Sequence, residues 1–292
     1  MKKLKVNLHV IEACNYRCRH CFAHFDKHNV LSKEKWQSII LNAVNSGMVS
    51  SFNFAGGEPL LYPHLTSLAE YARSLGCECS VITNGSCIDE NWIKTNAALF
   101  STIGFSLDSC SLDTLREIGR CDINGNILSI DRIKQIFTLI KKYNPTAKIK
   151  INTVVSAINK DENLGKLIKE HGIPVDRWKI LRMARFENDS FSNTDITITD
   201  EEYNAYITRN LASFGIDLDN NNVLYRTDSG TEIVCESNLY GTYIMIDAGG
   251  YLVDDTKNSS YVRIIDCNNT PFTEGLEKVT FRSDIYKARY QN

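Results

Sequence analysis

Residues 5–21 read Lys-Val-Asn-Leu-His-Val-Ile-Glu-Ala-Cys-Asn-Tyr-Arg-Cys-Arg-His-Cys. The first seven side chains alternate in polarity, which predicts a half-buried β-strand over residues 5–11. Three cysteines follow this strand, Cys14, Cys18 and Cys21, with the spacing C-x3-C-x2-C. The segment therefore predicts a first strand whose carboxyl end opens into a cysteine-rich loop.

The alternation of strands and helices continues beyond this loop to about residue 185. Further strands are predicted at residues 51–55, 77–83, 103–107, 148–155 and 178–181, with helices between them. We expect Ser32 and Asp89 to cap two of these helices, because both residue types accept hydrogen bonds from the free N–H groups at helix starts. Repeated β-α units predict the α/β class, with a parallel sheet curled into a partial (β/α)6 TIM-type barrel. The chemistry of such folds lies at the carboxyl ends of the strands.

The pattern changes after this core. Residues 186–200 are mostly polar, and a helix near 200–213 and short strands near 243–247 and 251–253 follow them. We interpret residues 1–185 as the barrel core. Residues 186–292 are predicted to form an α+β extension that packs on the barrel and closes the substrate site.

The composition narrows the class of protein. The 292 residues are 43% hydrophobic with a net charge of −2, which disfavours a general nucleic-acid binder. The sequence shows no signal peptide and no apolar run long enough to span a membrane. Ten cysteines without an export signal are typical of reduced thiols and metal ligands. We expect a cytoplasmic monomer that binds neither nucleic acid nor membrane.

The cysteine triad indicates a cluster of thiolate ligands. An iron–sulfur cluster held by three protein thiolates keeps one iron open, as catalytic metal sites keep a vacant position. A structural zinc site is the alternative, with His20 or His24 as the fourth ligand. The spacing of the cysteines alone does not distinguish an iron–sulfur cluster from a zinc site.

The order of two motifs favours the cluster. Gly56-Gly57-Glu58-Pro59 follows the second strand, and Phe22 follows the triad. Together these motifs resemble the radical S-adenosylmethionine (SAM) superfamily, which implies a radical SAM barrel, a [4Fe–4S] cluster on Cys14, Cys18 and Cys21, and SAM on the open iron. The resemblance implies a SAM pocket formed by Tyr16, Phe22, Gly56, Gly57, Glu58, Asn84, Ser106, Asp108 and Arg120. Ser106 and Asp108 as helix caps and Arg120 as a surface charge are the alternatives.

A narrower resemblance covers nearly the whole chain. Asn53–Pro59, Lys150-Ile151-Asn152, Arg177-Trp178-Lys179 and Glu236-Ser237-Asn238 resemble the viperins, which convert nucleoside triphosphates to 3′-deoxy-3′,4′-didehydro products. The resemblance implies antiviral chain terminators made from CTP, UTP or GTP. Ala55 and Ser51 stand where animal members carry a serine and a lysine, and the amphipathic N-terminal helix of those members is absent.

The same resemblance implies a substrate site, and residue chemistry supports part of it. Lys150 and Asn152 share one face of a predicted strand, and Arg177 and Lys179 share one face of the next. Cations inside a barrel need a neutralising anion, which a triphosphate would supply. Outward-facing strand residues paired with helix carboxylates are the alternative. The implied substrate residues are Asn53, Ala55, Lys150, Asn152, Arg177, Lys179 and Asn238.

The resemblance to this family implies further predictions about catalysis. Tyr243 matches a tyrosine given a hydrogen-relay role, with an ordinary strand aromatic as the alternative. We expect a nucleoside triphosphate substrate and an electron donor such as a flavodoxin or a ferredoxin. A radical SAM enzyme for a peptide or for GTP in a cofactor pathway, and a structural zinc-binding protein, remain the alternative functions.

Overall fold

The computed structural model describes residues 3–21, 30–188, 191–219, 222–238, 240–256 and 261–290. Its strands are β1 (Leu4–His9), β2 (Val49–Ala55), β3 (Glu78–Thr83), β4 (Thr102–Ser106), β5 (Lys148–Val155), β6 (Arg177–Arg182), β7 (Glu187–Asn188), β8 (Phe191–Ser192), β9 (Leu224–Arg226), β10 (Glu232–Glu236), β11 (Ile244–Ile246), β12 (Tyr251–Asp254) and β13 (Val262–Asp266). Its α-helices are α1 (Lys33–Asn45), α2 (Leu65–Ser74), α3 (Glu90–Asn96), α4 (Leu112–Ile118), α5 (Ile130–Tyr143), α6 (Leu164–Glu170), α7 (Asp200–Ala212), α8 (Phe272–Leu276) and α9 (Ser283–Tyr290).

One sheet organises the described chain, in the order β13-β12-β11-β1-β2-β3-β4-β5-β6-β10-β9. The strands from β11 to β10 in this order run parallel, and β12, β13 and β9 are antiparallel to their neighbours. Residues from β1 to β6 and from β11 line one cavity, so the sheet curls around it. The α/β partial barrel is confirmed.

Local sequence explains the helix positions. The Ser32 hydroxyl accepts the N–H of Lys35 (3.4 Å) at the start of α1, and the Asp89 carboxylate accepts the N–H of Trp92 (2.7 Å) at the start of α3. Both caps were predicted. The apolar side of α5, with Ile136 fully buried, packs towards the outer face of the sheet, whose β5 alternates between outward core residues and inward polar ones.

The C-terminal residues continue the core sheet on both sides. β11 extends it next to β1, and β10 extends it next to β6. Sequence reasoning found β11 and β12 but missed β9, β10 and β13, because short strands show little periodicity of their own. None of the helices in the described ranges combines the length and the apolar composition needed to cross a membrane.

Candidate active site

The cysteine loop leaves the carboxyl end of β1 and forms one wall of the cavity. Cys18 is buried, and Cys14 and Cys21 are partly exposed to the cavity. The Cys14 Sγ accepts the backbone N–H of Tyr16 (3.4 Å) and the side-chain N–H of Asn84 (3.8 Å). Burial raises the pKa of the Cys18 thiol to about 12. The three cysteines thus line the same cavity, and the Cys14 thiol has N–H donors beside it. Within the described ranges, no three His, Cys, Asp or Glu side chains are grouped closely enough to hold a single metal ion.

The glycine turn after β2 packs directly against the start of this loop. The N–H of Gly57 donates to the carbonyl of Ile11 (2.7 Å), and that of Glu58 donates to the carbonyl of Ala13 (2.9 Å). A Cβ on Gly57 would lie 2.2 Å from the Ala13 carbonyl oxygen, and one on Gly56 would lie 2.3 Å from that of Ile11. Both positions therefore require glycine, since no side chain fits between the two backbones.

Glu58 occupies a different position from the one expected. Its side chain is fully buried behind the turn. Its carboxylate accepts hydrogen bonds from the Thr83 hydroxyl (2.7 Å) and from the N–H groups of Asn84 (2.8 Å) and Leu60 (3.1 Å). Burial raises the pKa of this carboxyl group, against the effect of those bonds. In this structure Glu58 ties the ends of β2 and β3 together rather than facing the cavity.

A second buried carboxylate supports the loop from the other side. The Asp108 carboxylate contacts the Arg120 guanidinium (Oδ2 to Nε, 2.5 Å) and lies 3.6 Å from the His20 Nε2. Burial raises the pKa of Asp108, but Arg120 and His20 more than offset this and keep it below its usual value. The backbone beside Arg120 also meets the loop, because the N–H of Arg17 donates to the Gly119 carbonyl (3.4 Å). Arg120 is therefore not a surface charge.

The cysteine loop, the Gly56-Gly57 turn and Arg120 together form the rim of the cavity. These residues fit the cofactors that the sequence implied. Three thiols and two glycines without side chains line the same cavity, which suits an iron–sulfur cluster and its ligand. The cavity of about 1060 Å³ has room for two small molecules. Of the residues predicted for SAM, Tyr16, Gly56, Gly57, Asn84, Ser106 and Arg120 line this cavity. Phe22 lies outside the described residues.

The basic residues of β5 and β6 meet inside the barrel. The register pairs Lys150 with Arg177 and Asn152 with Lys179, and all four line the cavity. Trp178, between the two cations of β6, points the other way and donates its Nε1–H to the Thr153 hydroxyl (2.9 Å). The two strands therefore turn their polar face inward, and the outward-facing alternative is wrong.

Two glutamates of β10 balance part of this charge. Glu232 was not singled out from the sequence, and Glu236 was quoted as part of a motif without a role. Glu232 contacts Arg177 (Oε2 to NH1, 3.0 Å), and Glu236 contacts Lys179 (Oε1 to Nζ, 2.5 Å). The Tyr243 hydroxyl donates to the Glu236 Oε2 (2.9 Å) and accepts from the Lys179 Nζ (2.5 Å). Since β10 and β11 lie beyond opposite edges of the β1–β6 sheet, this buried network bridges the gap in the barrel. The short apolar run between the two glutamates was the feature of the sequence that could have indicated a strand here.

Lys150 is the least compensated cation. Within the described ranges no hydrogen bond or ion pair reaches its ammonium group. Burial lowers the pKa of Lys150 well below its usual value, Lys179, Arg177 and Lys5 lower it further, and Glu236 opposes them. A protonated Lys150 here requires an anion, because an unpaired buried charge is costly.

The remaining predicted substrate residues divide into two groups. Asn53 and Ala55 line the cavity, and the Asn53 side chain donates to the Asn7 Oδ1 (2.8 Å). Asn238 is exposed, and its Oδ1 accepts the N–H of Tyr240 (3.0 Å), which places it in a turn outside the cavity wall.

Ser51, where animal viperins carry a lysine, pairs in the register with Lys5. Lys5 lines the cavity, so a lysine still enters at this level from the neighbouring strand.

Comparisons with known proteins agree with this site. The sequence pattern of the radical SAM superfamily matches residues 8–170, more than half of the chain. A structure described as native anSMEcpe with bound AdoMet and Cp18Cys peptide matches with a TM-score of 0.69, covering 94% of this chain and 80% of the other at 19% identity. The latter likeness concerns the fold. The chain is a radical SAM enzyme, a class that uses SAM and an iron–sulfur cluster.

Two relatives define the family within this class. An S-adenosylmethionine-dependent nucleotide dehydratase of Selenomonas ruminantium is 34% identical over 288 residues, which cover 98% of each chain. One of Psychrobacter lutiphocae is 29% identical over 306 residues, 99% of this chain and 95% of the relative. This protein belongs to the family of S-adenosylmethionine-dependent nucleotide dehydratases, the viperin-like enzymes. The resemblance inferred from the sequence is confirmed.

Proposed function

We propose that this protein converts a nucleoside triphosphate, CTP, UTP or GTP, to its 3′-deoxy-3′,4′-didehydro analogue with loss of water. The proposal rests on the family and on one observation inside the barrel. The partly buried ammonium group of Lys150 has three cations near it, Lys179, Arg177 and Lys5, and no contacting carboxylate among the residues that the structure describes. Phosphate is the ligand that such a group accommodates, with Arg177 as a forked donor and the lysines as point charges.

The rim residues have the task of holding the cofactors. Cys14, Cys18 and Cys21 would bind a [4Fe–4S] cluster, and the backbone of the Gly56-Gly57 turn would lie beside SAM. When bound, the reduced cluster and SAM would supply a 5′-deoxyadenosyl radical able to take up the ribose 4′ hydrogen. The chain itself aligns the ribose with that radical, because the rim and the cations lie at different depths of one cavity.

Loss of the 3′ hydroxyl group requires a proton donor near the ribose. Tyr243 is the residue we propose as hydrogen relay. Its hydroxyl group lies on the cavity wall between the Lys179 ammonium and the Glu236 carboxylate. These partners fix the orientation of the phenol. In this proposal the phenol gives its proton to the leaving 3′ hydroxyl group, which departs as water, and recovers a proton from the Lys179 ammonium group; the external electron donor supplies the second electron. A Tyr243→Phe enzyme with unchanged turnover would exclude the relay.

The C-terminal residues close the substrate site in this proposal. Tyr240, Tyr243, Asp255 and Tyr261 contribute one side of the cavity wall. Burial raises the pKa of Asp255 to about 6, and its carboxylate accepts the N–H of Gly241 (2.6 Å). This wall would shield the radical from water. A flavodoxin or a ferredoxin would supply electrons, and the product would act as an antiviral chain terminator.

One experiment tests the reaction. Anaerobically reconstituted protein is incubated with SAM and dithionite plus CTP, UTP, GTP or ATP, and 5′-deoxyadenosine is measured with the nucleotide product. We expect at least one triphosphate to stimulate 5′-deoxyadenosine formation and to yield a product lighter by one water. Stimulation by none of the four would refute the proposal and leave a peptide or cofactor-pathway substrate.

A matched pair of variants tests the site. Lys150→Met removes the uncompensated ammonium group, and Lys134→Met removes an exposed one on α5. We expect KM for the triphosphate to rise about 10- to 100-fold in the first variant, since a charge-assisted contact is lost, and to stay unchanged in the second. Equal KM values in the two variants would show that Lys150 does not contact the triphosphate. Absorbance near 400 nm distinguishes a cluster from zinc in every preparation.

A further inference from the structure

Asp255 is an acidic residue on the cavity wall, and the register of two strands gives its position. β12 runs antiparallel to β11, with Met245 opposite Val253. The same register, continued past the strand ends, sets Asp255 opposite Tyr243. Residues that are directly opposed turn their side chains to the same face of a sheet, with Cβ atoms about 5 Å apart. Both residues line the cavity, so Asp255 lies beside the tyrosine that we propose as hydrogen relay.

The neighbours of Asp255 are backbone and aromatic rings rather than cations. Its Oδ1 accepts the N–H of Gly241 (2.6 Å). Among the described residues, no side chain donates a hydrogen bond to this carboxylate and no cation forms an ion pair with it. Tyr240 and Tyr261 also line the cavity, and burial raises the pKa of Tyr261, with Asp255, Cys21 and Tyr240 raising it further. The carboxylate therefore lies in an aromatic corner and can still accept hydrogen bonds from a ligand.

Only one part of a nucleoside triphosphate suits this corner. A carboxylate without a contacting cation repels phosphate, and the cations that attract phosphate lie on β5 and β6. In the proposed function the ribose lies at Tyr243. The base remains, and a base attached to that ribose can reach Asp255, because Asp255 lies opposite Tyr243. Proteins commonly bind unpaired bases by stacking them on aromatic side chains and by hydrogen bonds to the base edge.

An ionised carboxylate distinguishes the two pyrimidine bases. Burial raises the pKa of Asp255 to about 6, against the effect of the Gly241 N–H, so the group is largely ionised at neutral pH and only accepts hydrogen bonds. Cytosine carries an amine at C4, which donates, whereas uracil carries an oxygen there, which only accepts. The Asp255 carboxylate can therefore form a charge-assisted hydrogen bond with cytosine, but it meets the lone pairs of an oxygen in uracil.

We propose, resting on the function above, that Asp255 is a specificity-determining residue that binds the exocyclic amine of cytosine and makes CTP the preferred pyrimidine substrate over UTP. The rings of Tyr240 and Tyr261 supply the apolar surface beside the plane of the base. Because Asp255 acts on the base alone, its replacement changes the choice of nucleotide and leaves the binding of SAM unchanged.

The test measures kcat/KM for CTP and for UTP in wild type and in Asp255→Asn. The amide keeps an oxygen for the Gly241 N–H, so the fold should persist, but it loses the charge and can turn its NH2 group towards the uracil oxygen. We expect wild type to favour CTP about 10- to 100-fold and Asp255→Asn to lose most of this preference, since one charge-assisted contact to the base changes. Asp228→Asn, at an exposed position in the turn before β10, should keep the wild-type ratio.

Calorimetry adds a readout besides turnover, because the affinity lost in Asp255→Asn should be lost for CTP and not for UTP or SAM. Three results would overturn the proposal: wild type that uses UTP as well as CTP or better, a CTP-to-UTP ratio that Asp255→Asn leaves unchanged, or a loss of SAM affinity equal to that of CTP. The first of these is measured on wild type and does not depend on any variant.

Failure of the proposed function is seen separately, as wild-type protein in which no triphosphate stimulates 5′-deoxyadenosine formation. The Kd values still test Asp255 in that case. A wild-type preference for binding CTP over UTP that Asp255→Asn removes would support the role of Asp255, and equal Kd values for the two nucleotides in wild type would reject it.

Discussion

The rim and the interior of the barrel are built from different interactions. At the rim, backbone meets backbone: Gly57 packs on the carbonyl of Ala13, and two buried carboxylates, Glu58 and Asp108, bond to groups of the protein itself. In the interior, Lys150 has no contacting counter-ion within the described residues.

The difference shows that groups of the protein itself hold the rim together, whereas the interior lacks a counter-ion until a ligand binds. A rim whose two buried carboxylates are bonded to groups of the protein holds one geometry, as catalysis by a bound radical requires. An interior with unbalanced charge gains stability when an anion enters, because the ligand binds the folded state and supplies the missing charge. Four measurements test this difference between the rim and the interior.

Loss of a rim thiol should have the largest effect. Cys18→Ser removes a cluster ligand, so we expect no absorbance near 400 nm above background and no 5′-deoxyadenosine formation. Cys110→Ser, at a partly buried cysteine outside the triad, should retain both. A Cys18→Ser protein that still cleaves SAM would contradict the assignment of the triad.

Gly57→Ala tests the backbone contact between the turn and the loop. The added Cβ must displace the Ala13 carbonyl, and a shift of about 1 Å at the reacting groups is enough to lower kcat about 100-fold. Gly230→Ala is the control: its φ of +86° makes the substitution strained, but nothing lies within 4 Å. The control should cost about 1 kcal/mol of stability and little activity. Similar kcat values for the two variants would argue against a tight rim.

Asp108→Asn tests the buried ion pair that supports the rim. It leaves Arg120 uncompensated, so we expect the free energy of unfolding to fall by about 3–5 kcal/mol. Asp113→Asn breaks an ion pair of similar length with Arg116 (3.0 Å) on the exposed side of α4 and should cost less than about 1 kcal/mol. Urea titration of both proteins measures the difference. Equal losses would mean that burial of the first pair is unimportant.

The smallest expected effect concerns the pH dependence of the free energy of unfolding. We expect His9, inside the barrel, to contribute part of it. Burial lowers the pKa of His9 to about 4, from an ordinary value of 6.5, so the folded state favours the neutral ring. The contribution of the neutral His9 ring to the free energy of unfolding is fully present above pH 6.5 and is lost as the pH falls towards 4. Its upper limit is about 3 kcal/mol.

His9→Gln should therefore flatten the dependence of the unfolding free energy on pH between 6.5 and 4. Burial also lowers the pKa of His20 to about 4, so part of the slope should remain in the His9→Gln protein. His171→Gln, at an exposed position, should leave the slope unchanged. A wild-type slope in His9→Gln would show that the ring is accessible to protons in the folded protein.

Much of this architecture could be read from local patterns. The predicted strand at residues 148–155 coincides with β5, because its alternation of polar and apolar residues is complete. The helix caps at Ser32 and Asp89 were found because capping depends on neighbours in sequence. The burial of the Glu58 side chain behind the turn was not foreseen, since a motif does not tell which side of a turn a side chain takes.

Local sequence is enough to show that three thiols share one loop, that glycines follow the next strand, and that cations alternate on two later strands, because these properties depend on spacing within a few residues. The carboxylates that meet those cations, and the closure of the barrel, depend on the tertiary structure. Lys179 and Tyr243 are 64 residues apart, and Glu236 joins them through β10. Such contacts arise from strand order in the sheet, which local periodicity does not encode.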